Sequence, residues 1–218
     1  QRVFYNVFDV TGNLKMQNNA IGIILGNGWY NQRDRTVEGH MWYDVPKMIL
    51  QLEIEYEDGT KEMIVSDNSW KTTTGPLLHD AIFTGEIYDA RKDLGHWNRE
   101  SYDDNIWESA LQVRPPTGTL MFQTIPFNKV MQIVDTHFEQ LNDSLYIFTL
   151  PETVSGWCTL NVEGNSGDMI RLRFISEEGL DYGQTKVAIR KNGSLNLHGT
   201  LSERWRSYLG TQKFQSLV

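Results

Sequence analysis

The sequence predicts an all-β protein built from two antiparallel β-sandwich modules that are jelly-roll-like. Apolar and polar residues alternate with a period of two in several short segments, which is typical of strands with one face in water. Turn-forming residues separate these segments, and convincing amphipathic helices are missing. A chain of 218 residues can hold two modules of about 100 residues each.

The first half contains the clearest strand signal. Residues 50–57 alternate between apolar side chains and charged or amide side chains. Asp58-Gly59 follows, and the apolar run at residues 63–65 comes next. Because Asp-Gly between two strand patterns is a typical tight-turn signal, these segments are predicted to form a β-hairpin. A further strand is expected from Val3 to Phe8.

The second half contains a similar arrangement. Residues 158–162 and residues 170–174 both alternate between apolar and polar side chains. The segment Gly164–Asp168 between them has two glycines, an asparagine and an aspartate, which favour a turn. The pattern therefore predicts a second hairpin. Strands are also expected at residues 130–136 and 145–150.

Helix signals are weak, and the best candidate is a short helix from Tyr102 to Leu111, where two aspartates could cap a turn. A domain boundary is predicted at Arg114–Gly118. Its two consecutive prolines disfavour both a strand ladder and a helix, and its glycine supplies a flexible exit. The predicted modules are residues 1–118 and residues 119–218.

Composition argues against several classes of partner and site. The formal net charge is −8, with 28 acidic and 20 basic residues and no basic run, so neither nucleic acid nor an anionic membrane is an expected partner. No apolar run is long enough to span a bilayer. Cys158 is the one cysteine, which excludes an internal disulfide framework and a cysteine-based metal site. The five histidines lack the spacing of metal ligands.

Glycoside hydrolysis needs two carboxyl groups, one on each side of the scissile bond. Three pairs stand close in the sequence: Glu86 with Asp89, Asp103 with Asp104, and Glu177 with Glu178. Adjacent acidic residues point to opposite faces of a strand, so the last two pairs are interpreted as solvated turn or surface groups. Nothing in the chain combines a nucleophile with a base, and no catalytic residue is predicted.

The most informative segment runs from Gly75 to Trp107 and suggests a carbohydrate site. Its charged groups can make charge-assisted hydrogen bonds to sugar hydroxyls, and its aromatic rings offer flat apolar faces to a sugar ring. The predicted carbohydrate-binding residues are Glu86, Tyr88, Asp89, Arg91 and Trp97. The carboxylates of Glu86 and Asp89, with a main-chain carbonyl, could also hold calcium, which prefers six to eight oxygen ligands.

A simpler interpretation of the same segment also stands. The charged residues between Glu86 and Arg91 could form an internal salt-bridge network that pins an irregular loop. Under this interpretation the tryptophans, including Trp97 and Trp107, belong to the core rather than to a sugar-binding surface.

A family resemblance rests on several motifs that occur in a fixed order. They are Tyr5 to Thr11, Leu25-Gly26-Asn27-Gly28-Trp29-Tyr30, Gln51 to Tyr56 with Asp58-Gly59, Asp67-Asn68-Ser69-Trp70-Lys71, Gly75-Pro76, and Gly85 to Arg91. Together they resemble the N-terminal module of bacterial α-L-rhamnosidases, large inverting glycoside hydrolases that remove terminal L-rhamnose. This resemblance covers about residues 4–120.

The second half resembles the next β-sandwich of the same enzymes more loosely. Its anchors are Ser155-Gly156-Trp157 and the segment Gly167 to Arg173. The sequence departs from the family at Thr149–Val154, where an Asp-Phe/Leu-Gly-Gln-Asn segment is usual, and at Arg204–Val218, where an aromatic-rich strand is usual. The second sandwich is therefore expected to be incomplete or divergent.

The resemblance implies that hydrolysis belongs to an (α/α)6 barrel that follows these modules and holds the catalytic acids. The isolated chain is accordingly expected to be inactive. Its expected partners are that barrel, in the same polypeptide, and rhamnose-containing glycans. Some relatives of the first module bind rhamnose with calcium, so the resemblance also implies calcium as a candidate ligand, with no other cofactor expected.

Three functional hypotheses follow from these observations. The leading one is a non-catalytic accessory region of an α-L-rhamnosidase-like hydrolase. The second is a free-standing, lectin-like module that binds rhamnose, and the third is a purely structural or adhesive sandwich. A periplasmic or extracellular location is favoured over a cytoplasmic one, because many bacteria degrade plant polysaccharides outside the cytoplasm.

Overall fold

The computed structural model describes residues 2–28, 30–32, 41–81, 85–126, 129–150, 158–162, 164–175, 181–188, 193–197 and 206–209. Seventeen strands form within these ranges. They are β1 (Arg2–Tyr5), β2 (Asn31–Gln32), β3 (Met41–Trp42), β4 (Gln51–Glu55), β5 (Lys61–Val65), β6 (Lys71–Thr72), β7 (Leu77–Ala81), β8 (Gly85–Asp89), β9 (Glu108–Ser109), β10 (Thr119–Phe122), β11 (His137–Asn142), β12 (Leu145–Thr149), β13 (Cys158–Val162), β14 (Met169–Ile175), β15 (Asp181–Ala188), β16 (Gly193–Leu197) and β17 (Arg206–Leu209).

The predicted all-β class is confirmed. Helical structure in the described residues is limited to two single 3₁₀ turns, Thr11–Asn13 and Ala90–Lys92. Most strand pairs are antiparallel, as predicted, but β1 with β10 and β8 with β15 are parallel. None of the described segments is an apolar helix long enough to cross a membrane.

The chain divides into two compact units whose segments interleave along the sequence. The first unit comprises residues 1–24, 47–73 and 95–129, and the second comprises residues 25–46, 74–94 and 130–218. The predicted boundary between sandwich modules at residues 118 and 119 stays a prediction.

The first unit contains three two-stranded sheets, β1–β10, β4–β5 and β6–β9. The predicted hairpin is confirmed as β4–β5, with Gln51 opposite Val65 and Glu55 opposite Lys61. Gly59 has a φ of 81°, a conformation that favours glycine, and this lets the turn close. The alternation of residues in this segment therefore predicted both the strands and their pairing.

The predicted helix from Tyr102 to Leu111 is wrong. Its first residues form a turn, in which Asp103 Oδ1 accepts a hydrogen bond from the main-chain nitrogen of Asn105 at 3.1 Å. Its later residues form β9, which pairs with β6. The side chain of Lys71 also contacts Asp104 Oδ1 at 2.9 Å. Pairing with a distant strand therefore outweighs a weak local helix preference.

The second unit is organised around a seven-stranded sheet in the order β11-β12-β17-β14-β15-β8-β7. Its core lies around β14, where Ile170 and Leu172 are each 1% exposed. Phe148 of β12 and Ala90 are also buried. Since Ile170 and Leu172 are two positions apart, they lie on the same face of β14, as the alternation in this segment predicts.

The predicted pairing of residues 158–162 with residues 170–174 is wrong, although both segments are strands. β13 pairs with β16 in a separate two-stranded sheet, whereas β14 pairs with β15 and β17 in the large sheet. Gly167 (φ 98°) does lie in a turn between them. Alternation identifies which residues share a face, but it does not identify the neighbouring strand, and a turn between two strands does not require that they pair with each other.

The predicted strand at residues 145–150 is confirmed as β12. The predicted strand at residues 130–136 is absent apart from a single bridge residue, Val134. The first predicted strand, Val3 to Phe8, is shorter than expected, since β1 ends at Tyr5.

Replacing Leu172 by alanine is expected to lower the free energy of unfolding by about 2–5 kcal/mol, because the side chain is fully buried and its loss leaves a cavity. Met169→Ala on the same strand is the matched control, since Met169 is 56% exposed and its truncation should cost less than about 0.5 kcal/mol. Urea denaturation followed by tryptophan fluorescence measures both. Equal losses for the two variants would show that β14 does not face a core.

Candidate functional site

The strand pair β7–β8 carries most of the predicted site residues. β7 is an edge strand of the seven-stranded sheet, and β8 lies between β7 and β15. Asp80 of β7 is directly opposite Glu86 of β8, and Leu77 is opposite Tyr88. Because β8 is paired on both sides, the direction of each of its side chains is determined by the sheet.

Alternation along β8 separates the predicted carboxyl pair. Glu86 and Tyr88 are two positions apart and project from one face of the sheet, whereas Ile87 and Asp89 project from the other. The structure therefore keeps Glu86 beside Tyr88 and does not bring Glu86 and Asp89 together. Tyr88 is half-buried, and burial, assisted by the charge of Asp93, raises the pKa of its phenol.

Asp89 and Arg91 form an ion pair at the end of β8. Asp89 Oδ1 accepts a hydrogen bond from Arg91 Nε at 2.8 Å, and Asp89 Oδ2 accepts one from Arg91 Nη2 at 2.8 Å. Asp89 Oδ1 also accepts the main-chain N–H of Arg91 at 3.1 Å, which caps the 3₁₀ turn Ala90–Lys92. The Arg91 hydrogen bonds hold the pKa of the Asp89 carboxyl below its usual range.

The main chain holds the same ion pair in place. The main-chain N–H of Asp89 donates to the carbonyl oxygen of Pro76 at 2.8 Å. The side chain of Asp89 is only 10% exposed, whereas that of Arg91 is 53% exposed. A bidentate carboxylate–guanidinium pair of this kind is geometrically specific, and here it fixes the end of β8. For Asp89 and Arg91 this arrangement corresponds to the internal salt-bridge interpretation, and we call the pair the clamp of β8.

Glu86 is held in a different electrostatic setting. The pKa of Glu86 is raised from 4.5 to about 7. The larger cause is burial of its carboxyl group, and the second is the negative charge of Asp80 on the neighbouring strand. At neutral pH the group is therefore close to half protonated, so it can both donate and accept hydrogen bonds.

Asp80 is held by the loop that contains Asn27. This loop includes the motif Leu25 to Tyr30, but the motif does not predict the contact. Both carboxylate oxygens of Asp80 lie 3.0 Å from the main-chain nitrogen of Asn27. The side-chain nitrogen Nδ2 of Asn27 donates to the main-chain carbonyl oxygen of Asp80 at 2.9 Å. Asn31 Nδ2 in turn donates to Asn27 Oδ1 at 2.6 Å. A β-carbon at Gly26 would lie 2.9 Å from Asp80 Oδ2, so this close approach requires glycine or a shift of the carboxylate.

Trp97 belongs to the first unit, whereas Glu86, Tyr88, Asp89 and Arg91 belong to the second. The ring of Trp97 packs against Gly22 so closely that a β-carbon at Gly22 would overlap it. Its centroid lies 6.5 Å from that of Trp107, which in turn makes an edge contact with Tyr102 at 5.6 Å. These contacts match the core interpretation of the tryptophans. Sugar binding by Trp97 stays a prediction.

The sequence predicts calcium as a candidate metal, with Glu86 and Asp89 as ligands. The two carboxylates project from opposite faces of β8, and Asp89 is already bound to Arg91 through both oxygens. These two residues therefore do not fit one calcium ion. In the part of the chain that the structure describes, no group of three or more His, Cys, Asp or Glu side chains could hold a metal. The pair Glu177 and Glu178 lies outside the described residues.

Comparison with known proteins identifies the family. Residues 1–132, more than half of the chain, match the α-L-rhamnosidase N-terminal domain family. The chain belongs to this family. The predicted resemblance to the N-terminal region of α-L-rhamnosidases is thereby confirmed.

Similar proteins carry the same family name. The chain is 33% identical over 178 residues to an α-L-rhamnosidase of Formosa agariphila, with 79% of this chain and 19% of the relative covered. A second α-L-rhamnosidase of that organism is 32% identical over 190 residues, with 84% and 20% covered. The chain thus spans about a fifth of the length of the curated relatives it matches.

Solved structures agree with this α-L-rhamnosidase assignment. The α-L-rhamnosidase of Dictyoglumus thermophilum superposes with a TM-score of 0.84 at 33% identity, covering 98% of this chain and 25% of that one. The Streptomyces avermitilis α-L-rhamnosidase, solved in complex with L-rhamnose, gives a TM-score of 0.72 at 21% identity, covering 88% of this chain and 21% of that one. The second comparison shows the shared fold alone.

The sequence of this α-L-rhamnosidase N-terminal domain does not predict the contact between Asp80 and Asn27. Asn27 lies in a motif that the resemblance had marked, but Asp80 is 53 positions away and lies in no motif. Nothing in the local pattern around Asp80 indicates its partner. The anchor Ser155-Gly156-Trp157 lies outside the described residues.

Glu86→Gln is expected to stabilise the protein above pH 7. The pKa of Glu86 is about 7 in the folded protein and has the ordinary value of 4.5 in the unfolded chain. As the pH rises from 4.5 to 7, the unfolded chain therefore loses this proton before the folded protein does, and the wild type becomes less stable relative to the variant. The difference in unfolding free energy should reach about 1–3 kcal/mol. Urea denaturation of both proteins across this range measures it. An NMR titration of the Glu86 carboxyl carbon with a midpoint near 4.5 would contradict the premise.

Proposed function

We propose that this chain is a non-catalytic accessory region of an α-L-rhamnosidase-like glycoside hydrolase. In this role it supports a catalytic (α/α)6 barrel of the same polypeptide and shapes the approach to its active site. The observation that carries the proposal is the family match combined with length, because the matched part of the chain spans 19% and 20% of two α-L-rhamnosidases of Formosa agariphila.

The arrangement of acidic groups in the described residues supports a non-catalytic role. Glycoside hydrolysis needs one carboxyl group to protonate the leaving oxygen and a second to act as base or nucleophile. Asp89 is neutralised by Arg91, and both oxygens of Asp80 contact the main-chain nitrogen of Asn27. Among the described residues, Glu86 is the carboxyl group whose pKa is raised toward neutrality, and the other two carboxyl groups of this strand pair are held by Arg91 and by Asn27.

An activity assay tests the accessory role. The 218-residue chain is expected to release no phenol from an aryl α-L-rhamnoside above the rate of buffer, whereas the full-length product of its gene should hydrolyse the same substrate. Turnover by the isolated chain at an enzymatic rate would contradict the proposal. Inactivity of the full-length product on a panel of α-L-rhamnosides would contradict its assignment to such an enzyme.

A carbohydrate-binding role is the second candidate, and the face of β8 that carries Glu86 and Tyr88 favours it. Glu86 is partly buried and half protonated, so it can accept a hydrogen bond from one sugar hydroxyl or donate to another. Tyr88, on the same face, adds an aromatic ring against which a sugar can pack. This proposal uses Glu86 and Tyr88, and it assigns Asp89 and Arg91 to the clamp that holds the strand end.

Calorimetric titration of the chain with L-rhamnose measures this role. If the Glu86 face binds the sugar, saturable heat is expected at millimolar rhamnose, and it should be lost in Glu86→Ala. Glu57→Ala, which removes an exposed carboxyl group in the other unit, is the matched control and should bind normally. Repeating the titration with calcium and then with a chelator tests the metal separately. A flat trace under all conditions would contradict sugar binding by this chain and would not affect the proposed accessory role.

A further inference from the structure

The two-stranded sheet β1–β10 exposes an apolar face. In its parallel register Val3 is opposite Leu120, and Tyr5 is opposite Phe122. Alternation places these four side chains on one face, which we call the ribbon face. The rings of Tyr5 and Phe122 make an edge contact with centroids 6.0 Å apart, consistent with a shared face.

Three of the four side chains of the ribbon face are exposed to solvent, and Val3 is half-buried. Leu120 and Phe122 are 56% and 53% exposed, and Tyr5 is also exposed. No charged or hydrogen-bonding side chain other than the Tyr5 phenol interrupts the face. Single exposed apolar residues are ordinary on protein surfaces, but a contiguous group of large ones marks an interaction surface.

The type of strand pairing strengthens this conclusion. Parallel strand pairs occur almost only in sheets whose faces are covered, and an isolated two-stranded sheet is at best marginally stable in water. The main-chain N–H of Gln123 extends the pair by one further bond, to the carbonyl oxygen of Tyr5 at 2.9 Å. A regular, extended parallel ribbon with an uncovered apolar face therefore needs a cover.

The surrounding unit does not supply that cover from its own core. Five side chains are essentially buried among the residues whose burial the structure describes, and all five belong to the second unit: Asp89, Ala90, Phe148, Ile170 and Leu172. Among the described residues of the first unit, none is buried to that degree. The ribbon face therefore has no fully buried core in its own unit to pack against.

We propose that the ribbon face, Val3, Tyr5, Leu120 and Phe122, is the surface on which this region docks against the catalytic portion of its own α-L-rhamnosidase-like polypeptide. The proposal rests on the accessory role proposed above and adds to it the surface that makes the contact. It commits to an apolar counterpart, since the face itself presents one phenol and no charge.

Two observations favour this occupant over a second copy of the chain. In the Formosa agariphila relative the matched region is 19% of the protein, so most of the polypeptide lies outside the region and is held near it at high effective concentration. A symmetric pair of these chains would instead bring together two molecules of formal charge −8, which repel each other.

Hydroxyl-radical footprinting tests the proposal, because aromatic and aliphatic side chains are labelled according to their exposure. The 218-residue chain and the full-length gene product are labelled side by side and read by mass spectrometry. Labelling of Tyr5, Leu120 and Phe122 is expected to fall several-fold in the full-length protein. Phe4 is the matched internal control, since it is 57% exposed on the opposite face of β1 and should be labelled equally in both proteins.

The other outcomes overturn the proposal in distinguishable ways. Protection of other residues in the full-length protein, with the ribbon face still labelled, would refute the docking surface and leave the accessory role intact. Equal labelling of every residue in the two proteins would refute both. Protection of the ribbon face in the isolated chain that rises with protein concentration, together with a dimer in sedimentation, would identify a second copy as the occupant instead.

Discussion

Pairing of β8 on both of its edges is the constraint on which the candidate site depends. β8 is antiparallel to β7 and parallel to β15, so its main-chain hydrogen-bonding groups are engaged on two sides and its side chains must alternate between the faces of the sheet. The polar residues of this segment are consequently divided. Glu86 and Tyr88 lie on one face of the sheet. Asp89 lies on the other face, where its ion pair with Arg91 holds the end of β8.

The same pairing sets Asp80 against Glu86, an arrangement that a sheet normally avoids. Like charges directly opposite each other are destabilising. Here Asp80 is compensated by the main-chain nitrogen of Asn27, while Glu86 remains partly buried and its pKa rises to about 7. Burial first, and the charge of Asp80 second, favour the neutral form of Glu86, and a protonated Glu86 does not repel Asp80.

The fully buried side chains of the chain lie in the second unit, around β14. The chain corresponds to 25% of the Dictyoglumus thermophilum α-L-rhamnosidase on which it superposes. Under the proposed accessory role, apolar surface such as the β1–β10 ribbon belongs to an interface rather than to solvent. The aromatic cluster of Trp97, Tyr102 and Trp107 then contributes packing within the first unit.

The sequence alone determined the all-β class, the family and the local hairpin β4–β5, because strand alternation, turn residues and ordered motifs are written in neighbouring positions. Individual site residues were found in part: Asp89 and Arg91 are two positions apart and do bind each other. Tertiary structure decided the rest. It paired β13 with β16 rather than β14, replaced a predicted helix by β9, separated Glu86 from Asp89 and joined Asn27 to Asp80. These outcomes depend on which distant strand lies alongside, and no local pattern specifies that neighbour.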